Sequence, residues 1–234
     1  MKLSIVCPVC NERDNLEELI DRVFSALPDL FKNNNAELIF IDDGSNDGSR
    51  GLIESLLKKN SNIKLLIHNE RKGQAAALSS GFFLAGGDII ITMDADLQVF
   101  PEDLPLFLDK MDKGYDLVNG VRSDRQERAI LRLSSKFLSL LISIILNINI
   151  NDAASNFTAV KKGFVKNLCL LANDHRYIIP IIKSRGAIKI TEVKVRHTIR
   201  QKGKSKYRLL KIVSAIPELF SFYSRFKRGY YCVN

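Results

Sequence analysis

Four cysteines, at positions 7, 10, 169 and 232, are too few and too scattered in 234 residues for a disulfide scaffold. Cys7-Pro8-Val9-Cys10 has the spacing of a redox pair. Cysteine is equally a small buried hydrophobe at a strand end, however, and no second Cys-x-x-Cys exists to complete a zinc site. The run Phe137-Leu138-Ser139-Leu140-Leu141-Ile142-Ser143-Ile144-Ile145-Leu146 falls short of the roughly 20 residues that span a bilayer, so it reads as a buried or interfacial helix. Neither Gly-x-x-x-x-Gly-Lys-Ser/Thr nor Gly-x-Gly-x-x-Gly occurs, which excludes a P-loop nucleotidase and a dinucleotide-binding site of the usual kind. No leader pattern opens the chain, since residues 1–6 run directly into Pro8, and a cytoplasmic location is the expectation. With no aromatic-interleaved RNP-type motif either, nucleic acid is not an expected partner.

What is present is a chain with 46% apolar content, enough for a substantial core in one main domain. Its net charge of +9 favours anionic partners. Strand-like apolar runs at 3–6, 38–41, 63–68 and 88–93 alternate with helical spacing at 11–24, 49–59 and 74–85, the pattern of an α/β domain with a mostly parallel sheet. Asn11 is placed as the cap of the first helix, with Asp14 at its third position. A further strand is expected at 187–195. The tail at 207–226 is apolar but interrupted by Pro217 and Glu218.

Asp94-Ala95-Asp96 carries the chemistry. It follows Ile89-Ile90-Ile91-Thr92-Met93 and precedes Leu97-Gln98, so two carboxylates leave the end of a buried strand. Residues i and i+2 on an extended chain point the same way. Mg²⁺ or Mn²⁺ commonly takes one or two such carboxylates while substrate phosphates complete its shell. Asp also ends strands and caps helices, so the triplet alone is equally a turn. A second acidic loop, Asp42-Asp43-Gly44-Ser45, ends another apolar strand, and Arg71-Lys72-Gly73-Gln74 lies before a helix whose N-terminus favours an anion. In a parallel sheet these strand-end loops converge on one edge, where ligands bind.

In order, Val6-Cys7-Pro8-Val9-Cys10-Asn11-Glu12, Ile41-Asp42-Asp43-Gly44-Ser45, Arg71-Lys72-Gly73, Met93-Asp94-Ala95-Asp96-Leu97-Gln98, Gly120-Val121-Arg122, Asp152-Ala153-Ala154-Ser155-Asn156-Phe157, His175-Arg176-Tyr177 and His197-x-x-Arg200-x-x-Gly203-x-Ser205-Lys206 form a series. This series resembles glycosyltransferase family 2, in its branch similar to dolichol-phosphate mannose synthases. The resemblance implies a GT-A fold over residues 1–206, followed by a tail at 207–234 that meets a membrane or a partner. It implies a GDP- or UDP-linked sugar donor, mannose or glucose, a polyprenyl phosphate acceptor and Mg²⁺ or Mn²⁺. By motif, Pro8, Asn11, Glu12, Asp43, Lys72 and Ala95 would line the donor pocket. Asp94, Asp96 and Gln98 would surround the metal, and Arg200 and Lys206 would clamp the diphosphate. Arg122, one or both of Arg128 and Arg132, and Ser135 would hold the acceptor phosphate, and Asp152 is an acid facing the sugar or a simple cap.

A lipid monophosphate is already an anion near neutral pH and needs no general base, whereas a hydroxyl acceptor would. On a helix, Arg128, Arg132 and Ser135 fall at i, i+4 and i+7 and share one face, which suits the grip on a phosphate. A hydroxyl-acceptor transferase of the same family is the rival reading. A nonenzymatic basic phosphate- or nucleic-acid-binding protein is a more distant one, and it would leave Asp94-Ala95-Asp96 idle. The family pattern Ser-Gly-Phe-Arg is replaced here by Ser155-Asn156-Phe157-Thr158, which loses a glycine and a positive charge. Basic residues around both apolar segments suit an anionic lipid surface, reached by peripheral docking or through a membrane-spanning partner subunit; the alternative is that both segments pack in the core or at a homodimer interface.

Overall fold

The computed structural model describes residues 2–122, 150–152, 155–198 and 210–232, without the side chains of 210–216. Arg128, Arg132, Ser135, Arg200, Lys206 and the apolar run at 137–146 lie outside the described residues. A seven-stranded sheet organises the rest, in the order β3-β2-β1-β4-β6-β5-β7. Its strands are β1 (Leu3–Val9), β2 (Ala36–Asp43), β3 (Ile63–His68), β4 (Ile89–Thr92), β5 (Leu117–Arg122), β6 (Thr158–Lys161) and β7 (Ile190–Val195). Only β6 runs against its neighbours, antiparallel to β4 and β5, while the other pairings are parallel. The carboxyl ends of β1, β2, β3, β4, β5 and β7 therefore share one edge.

Alternation along the central strands sorts side chains to two faces. Leu3, Ile5, Cys7 and Val9 of β1 join Leu16, Leu19 and Val23 of α1 (Arg13–Ala26), Ile53 of α3 (Ser49–Leu57) and Phe107 of α5 (Leu104–Asp112). On the opposite face Val6, Ile39, Ile41 and Ile90 meet Ala77, Leu78 and Phe82 of α4 (Gln74–Leu84) and Ile179 and Ile182 of α6 (Ile178–Ser184). Both faces being covered explains why β2 is buried at every position and why its centre, 38–41, reads as a continuous apolar run. A short helix, α2 (Pro28–Lys32), precedes β2, and α7 (Leu210–Lys227) closes the described chain.

Several expected boundaries move, each for a local reason. β1 continues through Pro8 to Val9. Its pairing with β4 ends at Val6 opposite Thr92, and the Met93 N–H already bonds the Val6 carbonyl. The missing N–H of Pro8 therefore faces a side where no strand remains. Asn11 does not cap α1: Glu12 occupies that position, while Asn11 stands at φ 59° and its Oδ1 accepts the Asn46 N–H at 2.8 Å. Pro217, which interrupts the apolar pattern of the tail, does not interrupt the helix, and α7 runs through it. Leu219 and Phe222 anchor this helix, and the Phe222 ring stacks on Tyr177 at 4.2 Å. Among the described residues no helix is long and apolar enough to cross a membrane.

The amino edge of the sheet is clamped by a buried carboxylate. Glu37 accepts from Ser4 Oγ at 2.6 Å and from the Gly86 N–H at 2.7 Å, and pairs with Lys64 at 2.6 Å. Burial alone would raise its pKa, but these partners hold it below its ordinary value. On α4, Gly81 permits helix and strand to touch, since a Cβ there would run into Val6 Cγ1. Gly81→Ala is expected to lower unfolding free energy by about 1–3 kcal/mol in urea titration, through overpacking. Adding Val6→Ala should recover part of that loss, and a strictly additive double variant would show that the two sites do not collide.

Candidate active site

Six strand ends deliver their loops to one edge, and the acidic residues read from sequence meet there. Asp94 lies just beyond β4, its Oδ1 accepting from Gln74 Nε2 at 2.7 Å and its Oδ2 from Asn156 Nδ2 at 3.1 Å. Burial, then the neighbouring Asp96 charge, push its pKa up to about 6, with Asn156 and Arg122 opposing. Asp96 accepts the Gln98 N–H at 3.1 Å, in a turn that places Leu97 at φ 58°. Two carboxylates this close repel, and a divalent cation is the charge that would relieve them. The donor set fits a hard cation of the Mg²⁺ or Mn²⁺ type: two carboxylates, with each Asp94 oxygen steadied by an amide. No group of three or more His, Cys, Asp or Glu side chains suited to a metal occurs among the described residues. A cation here would therefore take other ligands, as from a diphosphate.

Arg122, at the end of β5, is held by Asp152 in a fork, with Nε to Oδ2 at 2.8 Å and one Nη to Oδ1 at 3.0 Å. Asp152 is 3% exposed. This ion pair fixes the guanidinium near Asp94, whose acidity it influences. Asp152 is thus engaged as the orienter of an arginine, a role that neither the sugar-facing acid nor the simple cap anticipates. Glu12 accepts from Asn15 at 2.9 Å and is buried beside α1, while its N–H bonds Ser49 Oγ. Gln98 is turned toward the opposite wall, where its carbonyl accepts the Thr198 N–H at 2.9 Å. Its side-chain amide lies 3.5 Å from the Thr198 carbonyl. Nearby, Arg196 forks onto Asp103 at 2.7–2.9 Å and lies 4.8 Å over the Phe100 ring. The segment that leads to Arg200 and Lys206 is therefore strapped to the loop after Asp96.

Asp43 organises the neighbouring loop. Its Oδ1 meets the Lys72 N–H at 2.8 Å and His68 Nδ1 at 2.9 Å, and its Oδ2 accepts the Gly73 N–H at 2.9 Å. Burial would raise the Asp43 pKa, yet these hydrogen bonds hold it below the carboxylate range. Gly44, at φ 72°, lets the two loops approach, since a Cβ would sit 3.0 Å from the Arg71 nitrogen. Pro8 and Ala95 lie in the adjoining strand and turn, Ala95 buried. Cys7 and Cys10 form no disulfide, and burial followed by the charge of Asp94 raises the Cys7 thiol.

Three residues at this edge have roles that the motifs do not show. Asn156, read as a departure from pattern, grips Asp94. Gln74 does the same from the first position of α4, and His68 backs Asp43. A polar residue at the end of an apolar strand, as in Leu65-Leu66-Ile67-His68, is the one local sign that could have drawn attention to the histidine.

The family model described as glycosyl transferase family 2 matches residues 4–169. A protein of Edwardsiella ictaluri named undecaprenyl-phosphate 4-deoxy-4-formamido-L-arabinose transferase is 33% identical over 218 residues, covering 93% of this chain and 66% of that protein. Its namesake from Shewanella sediminis is 36% identical over 220 residues, covering 94% and 66%. The chain thus spans just under two thirds of these relatives. Glucosyl-3-phosphoglycerate synthase from Mycobacterium tuberculosis, solved with Mn²⁺, UDP and phosphoglyceric acid, superposes with a TM-score of 0.71 at 18% identity, covering 97% of this chain and 78% of that one. The same synthase with Mg²⁺ and UDP gives 0.69 at 17% identity, covering 97% and 79%. The mostly parallel α/β architecture is that of GT-A glycosyltransferases.

The lowered pKa of Asp43 has a consequence for folding. Its stabilising contribution is fully present above the unfolded pKa of about 3.9 and is lost as pH falls through the lower folded value. Asp43→Asn should cost about 1–3 kcal/mol at pH 7, because an amide replaces an acceptor among three donors. In urea titrations the deficit should shrink below about pH 4; the same deficit at pH 7 and pH 3.5 would contradict this account.

Proposed function

Because the chain belongs to glycosyl transferase family 2, we propose that it transfers one sugar, with inversion, from a nucleotide sugar to a polyprenyl phosphate and releases the nucleoside diphosphate. The observation that carries this reading is the Asp94–Asp96 pair, poised at the carboxyl edge by Gln74 and Asn156. It sits in a chain whose relatives are named for undecaprenyl phosphate. Those names add a formamido-arabinose to the mannose and glucose expected from sequence. The neighbouring structures, with Mn²⁺ or Mg²⁺ and UDP, support a divalent cofactor and a uridine donor.

Asp94 and Asp96 would hold the cation, which when bound offsets the charge that builds on the departing diphosphate. Gln74 and Asn156 keep Asp94 aimed, so little reorganisation is needed as that charge develops. Asp43 shapes the loop carrying Arg71 and Lys72, whose backbone and side chains would face the donor. Arg122, oriented by Asp152, sits where incoming and departing phosphates both need positive charge. The acceptor oxygen attacks the anomeric carbon as the bond to the diphosphate breaks, and no proton has to be removed. The engagement of Asp152 with Arg122 favours a phosphate acceptor over a hydroxyl, which would require a carboxylate base.

The lipid would be reached at a membrane surface. Phe220 and Tyr230 are exposed on the segment that also carries Lys227 and Arg228, a combination suited to an anionic interface.

Asp96→Ala is expected to abolish transfer, by at least about 10³-fold, when protein, metal, UDP- and GDP-sugars and short polyprenyl phosphates are incubated and products identified by mass. Undiminished turnover with excess Mn²⁺ or Mg²⁺ would remove the metal role from this pair. Arg128→Ala and Arg132→Ala should raise KM for the lipid phosphate more than for the donor, and equal effects on both substrates would count against an acceptor role.

A further inference from the structure

We infer that His68 is a positioning residue for the nucleotide end of the site, acting through Asp43 and fixed from behind by Ser80. This rests on the reading of that edge as the donor site. His68 is 7% exposed, at the end of β3. Its Nδ1 lies 2.9 Å from Asp43 Oδ1, and its Nε2 lies 2.9 Å from Ser80 Oγ on α4. A carboxylate only accepts, so Nδ1 carries a hydrogen, and in the neutral ring Nε2 accepts the Ser80 hydroxyl. Asp43 in turn receives the Lys72 and Gly73 N–H groups, and the next residue, Gln74, donates to Asp94. A continuous path thus runs from the back of α4 through the imidazole to the loop in front of the helix, and on to the metal carboxylates. Its function is to hold the Arg71–Gln74 turn, with its two cations, in one place before a diphosphate arrives.

Ser80, His68 and Asp43 also stand in the order of a nucleophile, base and acid, and Ser80 borders a cleft of about 350 Å³ with Leu66, Phe83 and Leu168. Ser80 lies inside α4, however, where backbone N–H groups are consumed by the helix's own ladder, so its own turn offers no oxyanion-binding pair. The geometry serves Asp43 instead.

Two isosteres separate the ring's two nitrogens. The amide nitrogen of His68→Asn overlays Nδ1 and keeps the donor to Asp43, whereas that of His68→Gln overlays Nε2 and loses it. UDP and GDP binding with Mn²⁺, measured by calorimetry, should be within about threefold of wild type for His68→Asn and about tenfold weaker for His68→Gln. Hydrogen exchange over residues 69–75 should rise in His68→Gln and stay near wild type in His68→Asn. Ser80→Ala removes only the rear hydrogen bond, serves if His68→Gln does not fold, and should weaken binding about threefold. Equal losses for the Asn and Gln variants, or unchanged binding in His68→Gln and Ser80→Ala, would overturn the proposal while leaving the donor site intact. A wild-type protein that binds neither nucleotide would overturn the donor-site reading and this proposal with it.

Discussion

Repulsion between Asp94 and Asp96 is the interaction around which the site is arranged. A half-buried pair of carboxylates is tolerable only if its surroundings supply donors, positive charge or a cation. Gln74 and Asn156 supply the donors, and Arg122 brings positive charge nearby. These three come from the start of α4, the loop before β6 and the end of β5. The pair consequently dictates that the three elements meet at one edge, and the sheet order satisfies it by inserting β6 between β4 and β5. The residual elevation of the Asp94 pKa, to about 6, comes first from burial and then from the Asp96 charge, and is what protein groups leave uncompensated. It is the portion a divalent ion is suited to remove.

Asp43 represents the opposite solution to the same problem. Its charge is met by neighbours, including two backbone N–H groups and an imidazole, and against the effect of burial its pKa is held below the ordinary value. It needs no external cation and serves as a fixed anchor for the turn that carries Arg71 and Lys72. One edge therefore contains one acid whose charge is only partly compensated and another that its neighbours satisfy, joined through the consecutive residues Gly73, which donates to Asp43, and Gln74, which donates to Asp94. That division separates chemistry from positioning.

The alternation of strands and helices was legible because each apolar run is short and bounded by turn residues, and the acidic strand ends were legible for the same reason. Distance along the chain hid the rest. Asn156 reaches Asp94 across 62 residues, Asp152 reaches Arg122 across 30, and His68 reaches Asp43 across 25. Those pairings follow from sheet order, which no local pattern specifies. Local rules failed where tertiary partners outbid them. Asn11 gave up capping α1 to bond the loop after β2. Pro217 was carried through α7 by the burial of Leu219 and Phe222. Asn156, missing glycine and all, looked like a loss in the linear motif and is a gain in three dimensions.

The Arg122–Asp152 fork bears most directly on acceptor chemistry. An aspartate that must accept a proton from a hydroxyl needs a free oxygen and room to move. One that is 3% exposed and bonded through both oxygens to a guanidinium offers neither. The same fork immobilises Arg122, converting a flexible cation into a directed one at little entropic cost when a phosphate arrives. An anionic acceptor turns both properties to use. It brings its own negative charge as nucleophile and requires a preset cation to approach the carboxylate-rich corner at all.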